Sequence, residues 1–483
     1  MKKLTITFAI LVFVTRILAQ GLSEEALPKG TILSPKALTE DFEQLNNLLK
    51  TYHSGLFWYM DRFTWDNEVK SIKNQLTEPM GEMDFYRLVN PLIAKIACGH
   101  TAIRPSHSFY IDYNQNGTMF PVQVKFLEGK AYVQQDFSKT PGLEKGLEIT
   151  AIDGKPIEEV LTLIMPHITA DGNIKSAKFN ELEYWFPLFY TRFVQNTDTH
   201  ILTLTKNGKE ANIPVDAVKP AVVKPTISQQ EPISFSFSKV KGNAKPVRTL
   251  DINTFSQWDI EAAKIDYDKF LKQIFTTLKK EKAQELIIDL RGNNGGNDDF
   301  GAKLFAYLSQ EPFAYYSSVE VNPETKYAIP LARRMSYKFK EIDGKILYTN
   351  HPALGKLQPE NLAFEGDVYV LIDGGTFSAA AGFAAIASDQ GRAILIGEET
   401  GGAKLGNTSG VILDAVLPNT GLRLSLPTFR YSLALQNPSN KGVGVIPDHK
   451  ITPTVEQWLA NEDAQMEYVF SLIGQVKLAQ ASR

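Results

Sequence analysis

The chain has 483 residues, of which 43% are hydrophobic and 22% charged, and its formal net charge is -3. That length exceeds one ordinary domain and suffices for about two or three with real cores. The balance excludes a disordered chain and a bundle of membrane helices, and a near-neutral charge argues against a nucleic-acid partner.

Lys2 and Lys3 precede an apolar run from Leu4 to Val14, and Ile17, Leu18 and Ala19 stand before Gln20 and Gly21. This pattern predicts an export signal over residues 1–19, cleaved after Ala19. A membrane anchor is the competing reading, but Arg16 interrupts the run and a span needs ~20 apolar residues. The sole cysteine, Cys98, cannot form an internal disulfide and stands far from any N-terminal lipid-attachment position. The expectation is an exported protein of the bacterial envelope, periplasmic or extracellular, with no membrane span once the signal is removed.

Residues 22–105 read as a small helical domain. Leu38, Phe42, Leu45, Leu49 and Tyr52 recur at helical spacing behind Ser34 and Pro35, a cap and first turn. Trp65, Val69, Ile72 and Leu76 form a second stripe. Phe85, Leu88, Leu92 and Ile96 form a third, in which Pro91 should kink or shorten the helix.

From Phe120 the period changes to two, with Phe120, Val122, Val124 and Phe126 alternating before the turn at Glu128-Gly129-Lys130 and the strand Ala131-Tyr132-Val133. The β-rich module, 118–218, continues through Gly146 to Gly154, a helix-like stretch after Pro156, and a hairpin turn at Asn207-Gly208. These pieces, above all the run GLEITAIDGKPI, resemble a PDZ domain; an unrelated β insertion is the competing reading. Residues 219–246 are rich in Pro, Ser and Lys and read as a linker.

Beyond the linker, over 247–475, strands and helices alternate. Arg248 to Phe255, Glu285 to Leu290, Asp367 to Ile372 and Ala393 to Ile396 read as strands; Tyr267 to Lys280, Phe300 to Leu308 and Ser378 to Ser388 read as helices. That alternation predicts an α/β core. Two glycine-rich turns, Arg291 to Asn297 and Gly374 to Phe377, each follow a buried strand, where sites in such folds collect. In the second, Ser378 opens an alanine-rich helix, so its hydroxyl can lie near unpaired N–H groups suited to an oxyanion. From position alone, a plain helix cap is the better reading of Ser378.

Four blocks change that reading: ACGHTAIRP at Ala97 to Pro105, LIIDLRGNNGG at Leu286 to Gly296, TFSAAAGF to IGEETGG at Thr376 to Gly402, and GVGVIPDHKITPT at Gly442 to Thr454. In order and spacing they resemble the carboxy-terminal processing, or tail-specific, serine peptidase family, on its branch nearer the tricorn core protease. The resemblance implies a core of the ClpP and crotonase kind. It also implies a peptide or protein substrate gripped by the PDZ-like module, an extended segment or a C-terminus, and cleavage as an endopeptidase or C-terminal processing protease. By motif, Ser378 matches the nucleophile, and the N–H of Ala379 with that of Gly295 or Gly296 matches the oxyanion hole.

Many members of the family take their base from a lysine, and the matching position here is Ala403, with Lys404 one residue on as an alternative base. The tricorn-like branch instead uses a histidine placed as His100 is, and histidine has the better unperturbed pKa for that work. The other histidines, His53, His107, His167, His200, His351 and His449, read as structural or exposed. The chain departs from the family where Cys98 stands in place of an acidic residue, Gly99 in place of a serine, and Ala381 in place of an acid after the nucleophile. The group that orients His100 is therefore unidentified, with Glu398 and Glu399 as candidates by sequence proximity alone.

Ser378 lies in no Gly-x-Ser-x-Gly elbow, no His-Glu-x-x-His run occurs, and Ser238 with Lys241 forms a Ser-x-x-Lys match only inside the linker. Asp298 and Asp299 read as the start of a helix, so no metal and no cofactor is expected. A ligand- or peptide-binding protein of weak or lost activity on the same scaffold is the alternative function, favoured by the missing orienting group.

Overall fold

The structure is a computed structural model and describes residues 30–206, 208–224, 231–238, 247–325, 329, 335–438 and 441–481. The expected export signal and its cleavage point, and Asn207 of the hairpin turn, lie outside the described residues. Among the described residues no helix is long and apolar enough to cross a membrane.

The N-terminal helices are Pro35–Tyr52, Arg62–Lys73 and Glu82–Lys95. The Ser34 hydroxyl accepts from Ala37 N at 3.3 Å with Pro35 in the first turn, as expected. The shortening expected at Pro91 does not occur: Glu82–Lys95 runs through it. A missing N–H and a ring clash cost about 3 kcal/mol. Phe85, Val89, Leu92 and Ile93 are all buried on that helix, and each contributes roughly 1.5–3 kcal/mol, so packing outweighs the local penalty. These helices do not close a core alone. Leu413, Leu417, Leu422, Leu424 and Leu426, from far along the chain, share one hydrophobic cluster with Leu38, Phe42, Trp65 and Phe85.

The β module is an antiparallel sheet ordered Val122–Leu127, Lys130–Asp136, Glu148–Ile152, Thr199–Lys206 and Lys209–Asp216. The anticipated helix after Pro156 is Ile157–Ile164. The longest helix here, Lys175–Phe193, escaped the sequence reading. Its buried stripe Leu182, Phe186 and Tyr190 is interrupted by Pro187 and by non-helical backbone at Trp185, which blurs the period.

The core sheet runs Ile233–Ser238, Val247–Ile252, Glu285–Asp289, Asp367–Ile372, Ile394–Gly397, His449–Lys450, parallel except for the first pair. This is the expected α/β core, with one correction. Ile233–Ser238 lies in the stretch read as linker, yet forms an edge strand, because the alternating Ile233, Phe235 and Phe237 offer the period-two pattern that pairs with Val247–Ile252. One face of the sheet carries Tyr267–Glu281, Phe300–Ala306 and Ala379–Asp389; the other is covered by Val469 and Ile473 of the last helix. A second antiparallel sheet, Phe339–Ile342, Lys345–Tyr348, Tyr316–Val321, Arg423–Leu433 and Gly406–Val416, was not read from sequence. It also accepts Ala102–Arg104 beside Arg423–Ser425, which carries the chain just after His100 onto the core.

Candidate active site

Glu285–Asp289 and Asp367–Ile372 are adjacent parallel strands, so the two glycine turns leave the sheet side by side. They are tied together there. The half-buried Asp373 carboxylate accepts from Gly292 N and Gly375 N, both at 2.9 Å. Thr376 Oγ1 donates to Leu290 O at 2.9 Å, and Phe377 N donates to Asn293 O at 2.9 Å. Burial pushes the Asp373 carboxyl up, opposed by these N–H donors. The sequence reading missed Asp373 because its role appears only when the second turn is present.

Ser378 closes this turn with φ +52° and ψ -121°, and its side chain caps nothing. The plain-cap reading of this residue therefore fails. A non-glycine residue held at that backbone conformation is costly and marks a constrained site. A strand, a sharp turn, a serine at positive φ and then a helix is an elbow built without the usual glycine spacing.

Oγ of Ser378 lies 3.1 Å from Nε2 of His100. The His100 ring rests against Phe377, ring centroids 4.6 Å apart, and burial holds its pKa down at about 4, so it is neutral at pH 7. Gly99 permits this approach: a Cβ there would meet the Phe377 ring at 2.7 Å. Nδ1 of His100 is buried and has no hydrogen-bond partner among the described residues.

Behind the ring stands Asp171, which the sequence reading did not single out. Cys98 Sγ, a ring nitrogen of His100 and a carboxylate oxygen of Asp171 lie within 4.8 Å of one another. A thiol, an imidazole and a carboxylate have the composition of a metal-binding set. Here, however, the carboxylate accepts from Gly99 N at 2.8 Å and Ala403 N at 3.4 Å, and the thiol donates to Thr408 O at 3.5 Å. These bonds hold loops together. Asp171 lies 72 residues from Gly99, and no spacing in the sequence links the two.

Gly295 and Gly296 were alternatives for one oxyanion donor, and the structure separates them. Gly295 N is already bound to Asn293 Oδ1 at 2.8 Å, whereas Gly296 N donates to no acceptor among the described residues. Ala379 N opens its helix and has no carbonyl to donate to. Gly295, at φ +90°, has its own reason to be glycine: a Cβ would meet Ser378 Cβ at 2.6 Å and Ala379 N at 2.9 Å.

Lys404 is held through its backbone N–H to Val443 O at 2.9 Å, and no hydrogen bond joins it to Ser378. Glu399 accepts from Gly444 N at 2.8 Å, and Glu398 lines a cavity beside the β module; neither is bonded to His100. The two sequence-proximity candidates for orienting His100 are thus placed elsewhere. Asp299 is the N-cap of Phe300–Ala306, while Asp298 pairs with buried His351 at 3.0 Å. His53 bonds Thr101 at 2.7 Å and His200 bonds Asp153 at 2.7 Å, so both are structural.

The cavity has a volume of about 930 Å³ and lies between β module and core, lined by Lys125, Phe179, Asn180, Gly374, Glu398 and Lys450 among others. It reaches the turn that carries Ser378 but does not include Ser378 or His100.

Residues 247–451 match the family model of Peptidase family S41. No curated protein matches the chain. Mature CPAF complexed with lactacystin is similar in fold, with a TM-score of 0.67 at 16% identity, over 92% of this chain and 98% of that one. Mature CPAF alone gives 0.66 at 16% identity, over 92% and 97%. The family match spans both glycine turns, Ser378 and the Gly442 to Ile451 block, and the fold likeness extends to the helices and β module before them. By the match over residues 247–451 the chain is a serine-type peptidase, similar over that stretch to Peptidase family S41.

Proposed function

We propose that this peptidase cleaves its substrate by acyl transfer from Ser378, with His100 as general base and the N–H groups of Ala379 and Gly296 as oxyanion donors. The observation that carries the reading is the 3.1 Å approach of His100 Nε2 to Ser378 Oγ, made by a serine whose side chain caps nothing. A neutral imidazole at that distance takes the hydroxyl proton as Oγ attacks the carbonyl carbon, then returns it to the leaving amine. Backbone donors fixed before reaction stabilise the oxyanion without reorganisation.

The substrate approaches along the cavity between β module and core, in an extended form or by its C-terminus, and Lys175 and Lys450 in the lining suit a terminal carboxylate. The protein works outside the cytoplasm, as an exported enzyme of the bacterial envelope; Lys2, Lys3 and the run from Leu4 to Val14 support this.

Labelling of the purified protein with a fluorophosphonate tests the reading. Parent protein should label and Ser378→Ala should not; label retained in Ser378→Ala overturns the nucleophile. N-terminal sequencing of protein recovered from the envelope should begin at Gln20, and an intact Met1 there would overturn export with cleavage.

A further inference from the structure

The imidazolium formed when Ser378 gives up its proton carries an N–H on both ring nitrogens, yet Nδ1 of His100 is buried and has no partner among the described residues. A buried cation without a counter-charge is costly. The buried carboxylate beside it belongs to Asp171, 2% exposed, with an oxygen within 4.8 Å of a His100 ring nitrogen. Its two backbone donors come from the loops that set the Ser378–His100 distance. Gly99 precedes His100, and Ala403 follows Gly402, whose N–H bonds Thr376 O at 3.1 Å. The neighbours of Asp171 are fixed the same way, Gly172 N to Ala97 O at 2.9 Å and Asn173 N to Gly442 O at 2.8 Å.

We propose that Asp171 is the positioning residue of this site: it holds the His100 turn against the Ser378 turn and offsets the charge of the imidazolium. This rests on the roles given above to Ser378 and His100. In the step, the Oγ–H proton passes to Nε2 as the Oγ–C bond forms, and Asp171 takes no proton. The same proton leaves Nε2 for the amine nitrogen as the C–N bond breaks. Water then gives a proton to Nε2 as its oxygen bonds to the acyl carbon, and that proton returns to Oγ as the C–Oγ bond breaks and the carboxylic acid product leaves.

Burial pushes the Asp171 carboxyl up to about 6 and holds His100 down at about 4. Of the other groups facing them, Cys98 is pushed up to about 12, the Tyr59 phenol is pushed up, and His53 is held down at about 3, all chiefly by burial. Lys441 lies over the Tyr59 ring at 5.8 Å, and Glu399 is bound to Gly444 N. Among the shifted groups of this cluster, Asp171 is the one that changes charge near pH 6. Activity should therefore be lost as acid protonates it, with the midpoint of the acid limb near 6.

The test is kcat and KM for a peptide substrate against pH in the full-length enzyme, with Asp171→Asn beside the parent. Asparagine keeps an oxygen for Gly99 N–H and removes the charge. The expected result is a kcat lower by about 10²-fold at pH 7.5 with KM within about threefold, and an acid limb displaced downward by more than one pH unit. An unchanged kcat and limb in Asp171→Asn, with Ser378→Ala and His100→Ala unlabelled by fluorophosphonate, overturns the role of Asp171 alone. Label surviving in Ser378→Ala overturns the underlying reading instead. A parent limb below about pH 5 also overturns the role of Asp171, whether or not the variant folds.

Discussion

Nε2 of His100 and Oγ of Ser378 meet at 3.1 Å although 278 residues separate them in the chain. The helical segment delivers the histidine and the α/β core delivers the serine. If this contact is the base–nucleophile pair, His100→Ala lowers kcat/KM by at least about 10³-fold. Lys404→Ala stays within about threefold of parent. Initial rates on one peptide settle this, and the reverse order would transfer the role of base to Lys404.

The backbone of Ser378 makes a separate prediction about stability. Ala and Gly at this position both abolish the hydroxyl, but only glycine adopts φ +52° and ψ -121° without cost. Ser378→Gly should be more stable than Ser378→Ala by about 1 kcal/mol, a rise in Tm of about 1–3 °C for a chain of this size. Equal melting temperatures would mean the elbow is unstrained.

Gly99 sets the seat of the histidine. A Cβ at 2.7 Å from the Phe377 ring must displace either Phe377 or the loop that carries His100. Gly99→Ala is expected to cost about 10–100-fold in kcat, with a far-UV spectrum like the parent's. Full activity in that variant would show that the ring gives way freely.

His53 governs acid stability near the site. Its Nδ1 accepts from Gly55 N at 3.1 Å, so Nε2 carries the proton and donates to Thr101 Oγ1 at 2.7 Å. Burial holds this residue at about 3. The folded pKa is below that of the unfolded chain, which binds a proton below about 6.5 that the native state refuses, so stability falls as pH drops. His53→Gln should lose about 2 kcal/mol less than parent between pH 7 and pH 5. Urea melts at the two pH values measure this, and an equal loss in both proteins would refute it.

Much of the local structure is legible in the sequence. Ser34 and Pro35 start a helix, Phe120 to Phe126 alternates as a strand must, and the apolar runs before the two glycine turns are buried strands. The misses share a cause. Pro91 is a helix breaker by propensity, overridden by buried neighbours; Phe237 belongs to a strand hidden in polar, proline-rich sequence; Leu413 to Leu426 complete a core begun at Leu38.

What the sequence determined by itself is therefore periodicity, the glycine turns at strand ends, and the motif blocks that place Ser378 and His100 in named roles by resemblance. Only the tertiary structure decided that Ser378 is an elbow rather than a cap, that Gly296 rather than Gly295 keeps its N–H free of Asn293, and that Asp171 stands behind His100. Each of those depends on which groups from distant segments share a few ångströms of buried space, and on which N–H and C=O groups remain once every nearer partner is satisfied.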